Sequence, residues 1–349
     1  MTLIDTPFIS TSTSTSTSTS TRHAAARRAI VASLLTLAAA GSGLPMAAHA
    51  QTAATFPSKP LTLLVPFPPG AATDAIARAL AVPLARHLGQ QVVVENRPGA
   101  AGTMAASLVA QSSATDGHTV AIAPATIFRV PHLQKVPYDT LKDLSFIMNF
   151  SGYTFSLVVA EGSGIKSIPE FVAYAKANPG KVSIGASGAG STGHIATHML
   201  SQKTGTDLTF VPFKGGAEVL SAFVGGHINA VIDGGWPQIE KQGKGRVLMT
   251  FQEKRIPRLP NVPTARESGY DIVSISPIGL VGPKGMDPKA IRAWHDALKA
   301  SLADPGYRRL LELHDLEDAY LSGDDYRKLA QRLWVDEKKN FDMIGMKPQ

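Results

Sequence analysis

The chain has 349 residues, with 34 Lys and Arg against 27 Asp and Glu, 44% apolar and 17% charged residues, and no cysteine. So much apolar content with so little charge excludes a disordered chain. The missing cysteine excludes a disulfide framework, a thiolate metal site and a cysteine nucleophile. At roughly 150 residues per domain the length suggests about two domains, each large enough to bury a core.

The first fifty residues read as a leader. Ser and Thr alternate from Thr11 to Thr21, with no apolar side chain to bury, so this tract is expected to be disordered. Arg22, His23, Arg27 and Arg28 follow, then an apolar run from Ala29 to Ala40, then Gly41, Ser42, Gly43, Pro45 and the small-x-small end Ala48-His49-Ala50. That order is a secretory signal peptide cleaved after Ala50 and implies export. The run is too short to span a bilayer, which needs about 20 residues. Removing residues 1–50 takes away three Arg and one Asp and leaves 31 basic and 26 acidic side chains. No basic stripe with interleaved aromatics is present, so no nucleic-acid partner is expected. The mild positive excess favours a small anion.

Strands and helices then alternate. Leu61 to Phe67 is apolar and β-favouring and ends in Pro66-Phe67-Pro68-Pro69-Gly70. A helical stripe of Ile76, Leu80, Leu84 and Leu88 follows and stops at Gly89. Gln91 to Glu95 is predicted as a strand, Arg97-Pro98-Gly99 as a turn, Gly102 to Ser112 as a helix and Thr119 to Ala123 as a strand. A second series opens with a strand at Phe155 to Ala160. A capping box, Ser167 with Glu170, then starts a helix that ends at Asn178-Pro179-Gly180. Further strands are predicted at Val182–Ala186, Leu208–Val211, Ala230–Asp233 and Val247–Phe251. Helical stretches at Ser191–Lys203, Ala217–Val224 and Pro237–Gln242 separate them. The strand Ile278–Val281 and helices at Asp287–Ala303 and Asp324–Phe341 complete the chain. Such alternation implies parallel sheets covered by helices, with ligands where strand C-termini meet helix N-termini.

The loops after strands therefore carry the candidate site. Pro68-Pro69-Gly70-Ala71-Ala72-Thr73-Asp74 has a fixed shape, small side chains and free N–H groups at a helix start, which suits an anion. Asp74 itself would repel an anion and reads as a cap. Gly185 to His194 contains G-x-G-x-x-G at Gly188, Gly190 and Gly193, yet Asp207 precedes its strand instead of ending it, so the dinucleotide pattern is incomplete. Ala189-x-Ser191-x-Gly193 approaches the hydrolase elbow but lacks its first glycine; Asp233 with His295 or His314 would have to complete a triad. The third reading of this loop is hydroxyls and backbone amides facing a carboxylate, with no bond broken. His194 and His198 lie four apart on a helix, but Ile195 replaces the general-base Glu of a zinc motif and a third ligand is not apparent. Lys214, in Val211-Pro212-Phe213-Lys214-Gly215-Gly216-Ala217, balances a ligand anion or is solvated surface. Asp233, at the end of another strand, accepts hydrogen bonds from a ligand or from a neighbouring loop, and Trp236 reads as core.

Pro66 to Asp74, Val94-Glu95-Asn96-Arg97-Pro98-Gly99-Ala100-Ala101-Gly102, Val136-Pro137-Tyr138-Asp139, the Ser187–His194 loop, Val211 to Gly216, and Leu259-Pro260-Asn261-Val262-Pro263-Thr264 with Glu267-Ser268-Gly269-Tyr270 occur in this order. Together they resemble the tripartite tricarboxylate transporter (Bug-type) receptor family. The resemblance implies an α/β, two-lobed periplasmic-binding-protein fold of type II-like kind, each lobe a mostly parallel sheet flanked by helices. Lobe one would be residues 51–154 plus 276–349 and lobe two residues 155–275. It also implies hinge closure on a small di-, tri- or aromatic carboxylate, delivery to a membrane permease, and no catalysis, cofactor or metal; the protein is expected to be a monomer. The candidate contacts are Phe67, Pro69, Gly70, Ala71, Ala72 and Thr73 in the first loop, and Ser187, Gly190, Ser191, Thr192 and His194 in the second. Ala125, Arg129, Lys214, Gly215 and Asp233 lie around them. Ala71 stands where the family usually has Gly, and Pro277-Ile278-Gly279-Leu280 stands where many members carry an aromatic residue before Gly-Leu. Arg129 falls in a stretch that is often Thr/Asn-rich, where it would meet a distal ligand carboxylate.

Overall fold

The computed structural model describes residues 56–346; the Ser/Thr tract, the signal segment and its cleavage point lie outside them. Strand β1 (Leu61–Val65) leads into helix α1 (Ala72–Leu88). Ile76, Leu80, Leu84 and Leu88 form the buried stripe of α1, and Gly89 ends it in the left-handed region at φ 68, its N–H on the Ala85 carbonyl. Strand β2 (Val92–Asn96), a short 3-10 turn, α2 (Met104–Ala110), β3 (Thr119–Pro124), a second 3-10 turn and α3 (Val130–Leu133) follow, then β4 (Leu144–Gly152).

The chain next passes through Tyr153-Thr154-Phe155 into a second sheet. It contains β5 (Ser156–Ala160), α4 (Ile168–Ala177), β6 (Val182–Ser187), α5 (Thr192–Thr204), β7 (Leu208–Phe213), α6 (Gly216–Val224), β8 (Ala230–Val231), α7 (Trp236–Lys241) and β9 (Gly245–Thr250). It then returns through β10 (Pro277–Pro283), α8 (Pro288–Ser301), α9 (Pro305–Leu313), β11 (Leu321–Ser322) and α10 (Gly323–Met343).

The strand orders are β11-β4-β10-β3-β1-β2 and β7-β6-β8-β5-β9. In the first sheet β1, β2, β3 and β4 share one direction, and β10 and β11 oppose it. In the second, β6, β7, β8 and β9 share one direction and β5 opposes it. The α/β class and the parallel majority expected from alternation are therefore present. The opposing β5 and β10 are the strands that carry the chain between sheets, and each is inserted between parallel neighbours. The two crossings run side by side, with Tyr153 N–H on the Ser276 carbonyl at 2.8 Å and Phe251 N–H on that of Phe155 at 2.9 Å.

Each sheet buries both faces. Trp294, Tyr307 and Leu80 cover one face of the first sheet, and Tyr326, Phe128 and Phe146 the other. Phe171, Leu200 and Trp236 do the same for the second. Trp236 is core, as expected, and its indole N–H reaches Thr154 Oγ1. Four elements went unanticipated, β4, α9 and the short α3 and β11. Strand β4 is buried along nearly all its length, so its apolar run shows no alternation, and a run of that kind does not distinguish strand from helix. Helix α9 is set by Asp304 as N-cap and Pro305 at its first position.

Candidate ligand cleft

A cavity of about 280 Å³ lies between the two sheets. The first sheet supplies Phe67, Gly70, Ala71 and Ala72 after β1, Ala101 after β2, and Pro124, Ala125, Thr126 and Arg129 after β3. The second supplies Ser187, Ser191 and Thr192 after β6, Gly215 to Ala217 after β7, and Asp233 to Gly235 after β8. Tyr153, Phe155 and Ser276 enter from the crossings. Strand C-termini thus meet helix N-termini on both sides, as open α/β sheets dictate.

Three longer helices, α1, α5 and α6, begin at this cavity, through Ala72, Thr192 and Gly216. Each N-terminus carries roughly +0.5 of an elementary charge and unpaired N–H groups. The helix-start amides expected to be free in the first loop are free, whereas several amides of the preceding loop residues are taken. Gly70 N–H is held by Asp74 Oδ2 at 3.0 Å, Ser187 N–H by Asp233 Oδ2 at 2.9 Å, and Gly190 N–H by His194 Nδ1 at 3.0 Å. Among the described residues, no acceptor reaches the amides of Ala72, Thr73, Thr192, Gly216 or Ala217. These, and not the glycine amides of the loops, are left for a ligand.

Eleven of the sixteen candidate contacts line the cavity: Phe67, Gly70, Ala71, Ala72, Ala125, Arg129, Ser187, Ser191, Thr192, Gly215 and Asp233. Five do not. Pro69 and Lys214 are exposed outside it. Thr73 is buried, its hydroxyl bonded to that of Tyr153. Gly190 packs on Leu133 and Val130. His194 stacks on Phe210 with ring centroids 3.9 Å apart. Burial, and then the neighbouring His198, push His194 down to about 4, so it stays neutral. Because Nδ1 accepts from Gly190, the ring proton belongs on Nε2, facing His198 Nε2 at 3.2 Å. His194 shapes the loop and supplies no charge.

Arg129 lines the cavity as expected, but with its charge already matched. All three of its guanidinium nitrogens are engaged within the protein. Nε donates to Glu337 Oε1 at 2.7 Å, Nη1 to Thr192 Oγ1, and Nη2 to the Ile275 carbonyl at 3.1 Å. The pair with Glu337 is buried on both sides. A distal ligand carboxylate would find this cation already matched. Asp233 likewise serves loops: it accepts from Ser187 N–H, Ser187 Oγ and Gly235 N–H. Asp74, read from the sequence as capping or neutralising the helix, lies in its first turn and accepts from the Gly70 amide ahead of the N-cap Ala71. Burial raises its carboxyl, but hydrogen bonds from Arg78, the Gly70 amide and Asn96 outweigh this and hold it below its usual value.

The glycine pattern has a mechanical explanation. Gly188 and Gly190 adopt φ +86 and +75, which L side chains rarely tolerate, and a Cβ on Gly193 would lie 1.8 Å from the Ile232 carbonyl oxygen. The spacing thus serves a tight turn and close helix–strand packing, without a nucleotide. No triad forms either: Ser191 Oγ caps α5 by accepting from His194 N–H at 3.2 Å. His295 pairs with Asp296, and His314 faces Gln238. Among the described residues, no cluster of three His, Asp or Glu is placed to hold a metal.

Sequence reasoning missed Thr126, Tyr153, Phe155, Gly216, Gln238 and Ser276. Gly215-Gly216 before an apolar helix was a usable signal; the crossing residues Tyr153 and Ser276 had none, because only the return of the chain brings them together. Tyr153 is half-buried at the edge of the cavity, and desolvation pushes its hydroxyl up to about 12 despite the bond with Thr73, so it remains neutral.

Residues 76–345 match the family described as tripartite tricarboxylate transporter family receptor. A relative from Cupriavidus necator, the UPF0065 protein in gbd 5'region, is 41% identical over 326 residues, covering 93% of this chain and 98% of its own. Protein BugT of Bordetella pertussis is 34% identical over 262 residues, 73% of this chain and 78% of that one. Among solved structures, R. palustris Rpa4515 with adipate superposes with TM-score 0.79 at 28% identity, over 84% of this chain and 100% of that chain. MatC from Rhodopseudomonas palustris with bound malate gives 0.74 at 26%, over 82% and 99%. The fold and cleft are those of a periplasmic-type binding protein, not an enzyme. The chain belongs to the tripartite tricarboxylate transporter receptor family.

Proposed function

We propose that this protein captures a small organic carboxylate in the periplasm and hands it to the membrane permease of a tripartite transporter. The observation that carries this is the convergence of three helix N-termini, with unpaired amides at Ala72, Thr192 and Gly216, on one small cavity. The neighbours solved with adipate and malate support a carboxylate. The sheets correspond to two lobes, residues 51–154 plus 276–349 and residues 155–275, that hinge about the paired crossings. Ligand affinity for the closed form sets its population. The leader through Ala50 directs export, and the protein acts as a monomer. The site consists of the cavity-facing members of the two loops together with Gly215 and Gly216, while Thr73, Gly190 and His194 hold the loops in shape.

Thermal unfolding against a panel of di-, tri- and aromatic carboxylates tests this. An acid at a hundred times its Kd should add about 2.7 kcal/mol of stability. No shift with any acid, or a shift only with cations or neutral hydrophobes, would refute it.

A further inference from the structure

We infer that the ligand carries a single carboxylate and an uncharged body, and that Glu337 is the positioning residue that enforces this. The inference rests on the carboxylate reading above and narrows it. Among the described residues only two charged side chains face the cavity, Arg129 and Asp233. Arg129 is cancelled: its Nε and Nη2 lie 2.7 and 2.6 Å from Glu337 Oε1, with both side chains buried. Glu337 is held in turn by Asn340 Nδ2 on its other oxygen. Asp233 remains, contributing one negative charge, and its oxygens are filled by Ser187 and Gly235.

Against that single charge stand the N-termini of α1, α5 and α6, worth roughly +1.5 together; the first-turn carboxylate of α1, Asp74, is neutralised by Arg78, and that of α6, Glu218, is exposed outside the cavity. The balance of about +0.5 suits one carboxylate and leaves nothing for a second. The rest of the lining points the same way. Phe67, Ala101, Pro124, Phe155 and Leu220 offer apolar surface. Thr126 also lines the cavity, and its buried Oγ1 has no partner, which adds a neutral polar group and no charge. A second carboxylate would be stripped of water and meet apolar walls, neutral polar groups such as Gln238, Ser221 and Ser276, or an arginine whose charge is spent on Glu337, but no uncompensated cation.

The test compares acids matched in skeleton, hexanoate with adipate and benzoate with terephthalate, by calorimetric titration of the purified protein at pH 7.5, where every carboxyl is ionised. The monocarboxylate of at least one pair should bind tenfold or more tightly than its partner. Glu337→Gln should shift that ratio tenfold or more toward the dicarboxylate, because it frees the Arg129 charge while keeping a hydrogen-bond acceptor beside it. A purely structural role for Glu337 would weaken both acids alike and leave the ratio unmoved. Dicarboxylates binding as tightly as their matched monocarboxylates would overturn the inference and leave the carboxylate reading standing. Failure of all four acids, and of the wider panel above, would overturn both. If Glu337→Gln does not fold, the wild-type ratio decides.

Discussion

Removing one member of the Arg129–Glu337 pair should cost far more than removing both. Arg129→Met leaves the Glu337 carboxylate buried without a cation and takes a donor from Thr192 and from the Ile275 carbonyl. Stranding one charge of a buried pair costs about 3–5 kcal/mol. For a chain of this size each kcal/mol lowers the melting temperature by roughly 2–4 °C, so the single variant should melt about 10 °C early at pH 7. Arg129→Met with Glu337→Leu replaces the pair by apolar volume and should return to within about 2 kcal/mol of wild type. Guanidinium denaturation of the wild type, both singles and the double closes the cycle. A single variant costing under about 1 kcal/mol, or a double costing the sum of its singles, would show that the pair is hydrated and unlike the one described.

Gly193→Ala should destabilise the protein by about 3 kcal/mol or more, because the clash is with the Ile232 backbone and not with a yielding side chain; urea melts near wild type would refute the packing of α5 on β8. His194 ionises near 4 when folded and 6.5 when unfolded. The unfolded state therefore binds more protons in that window, and stability falls as pH drops from 6.5 toward 4, by roughly 3 kcal/mol. His194→Asn, which retains an acceptor for Gly190, should flatten this part of the profile, and an unchanged slope would assign the loss elsewhere. Thr126→Val should leave the free protein as stable or slightly more stable, since its hydroxyl has no partner, yet weaken ligand binding about tenfold if that hydroxyl meets the ligand. Titration calorimetry showing no loss would remove Thr126 from the site.

The strand–loop–helix units were legible in the sequence because each is fixed by neighbours in the chain. The Ile76–Leu88 stripe and the Gly89 stop stand where local rules put them, and the helix expected from Ser191 starts one residue later, at Thr192. The capping box was half right: Ser167 Oγ accepts from Glu170 N–H, but Glu170 returns to Lys166 and not to Ser167. Strand β4 stayed hidden because burial on both faces erases its period. The cleft was legible at the level of loops and only in part at the level of atoms. The helix-start amides expected to be free are free at Ala72 and Thr73, but Gly70 and Gly190, named as contacts, have their amides occupied by Asp74 and His194, each four residues on. The partner of Arg129 lies 208 residues away on the last helix, and no local pattern announces a contact of that range.

The account stands or falls on where a bound acid puts its carboxylate. A crystal structure of the protein with a tight-binding acid should place both carboxylate oxygens about 3 Å from backbone amides at the starts of α1, α5 or α6, among Ala72, Thr192 and Gly216, with the Arg129–Glu337 pair intact. A carboxylate seated on the Arg129 guanidinium with Glu337 displaced, or bound outside this cavity, would contradict it.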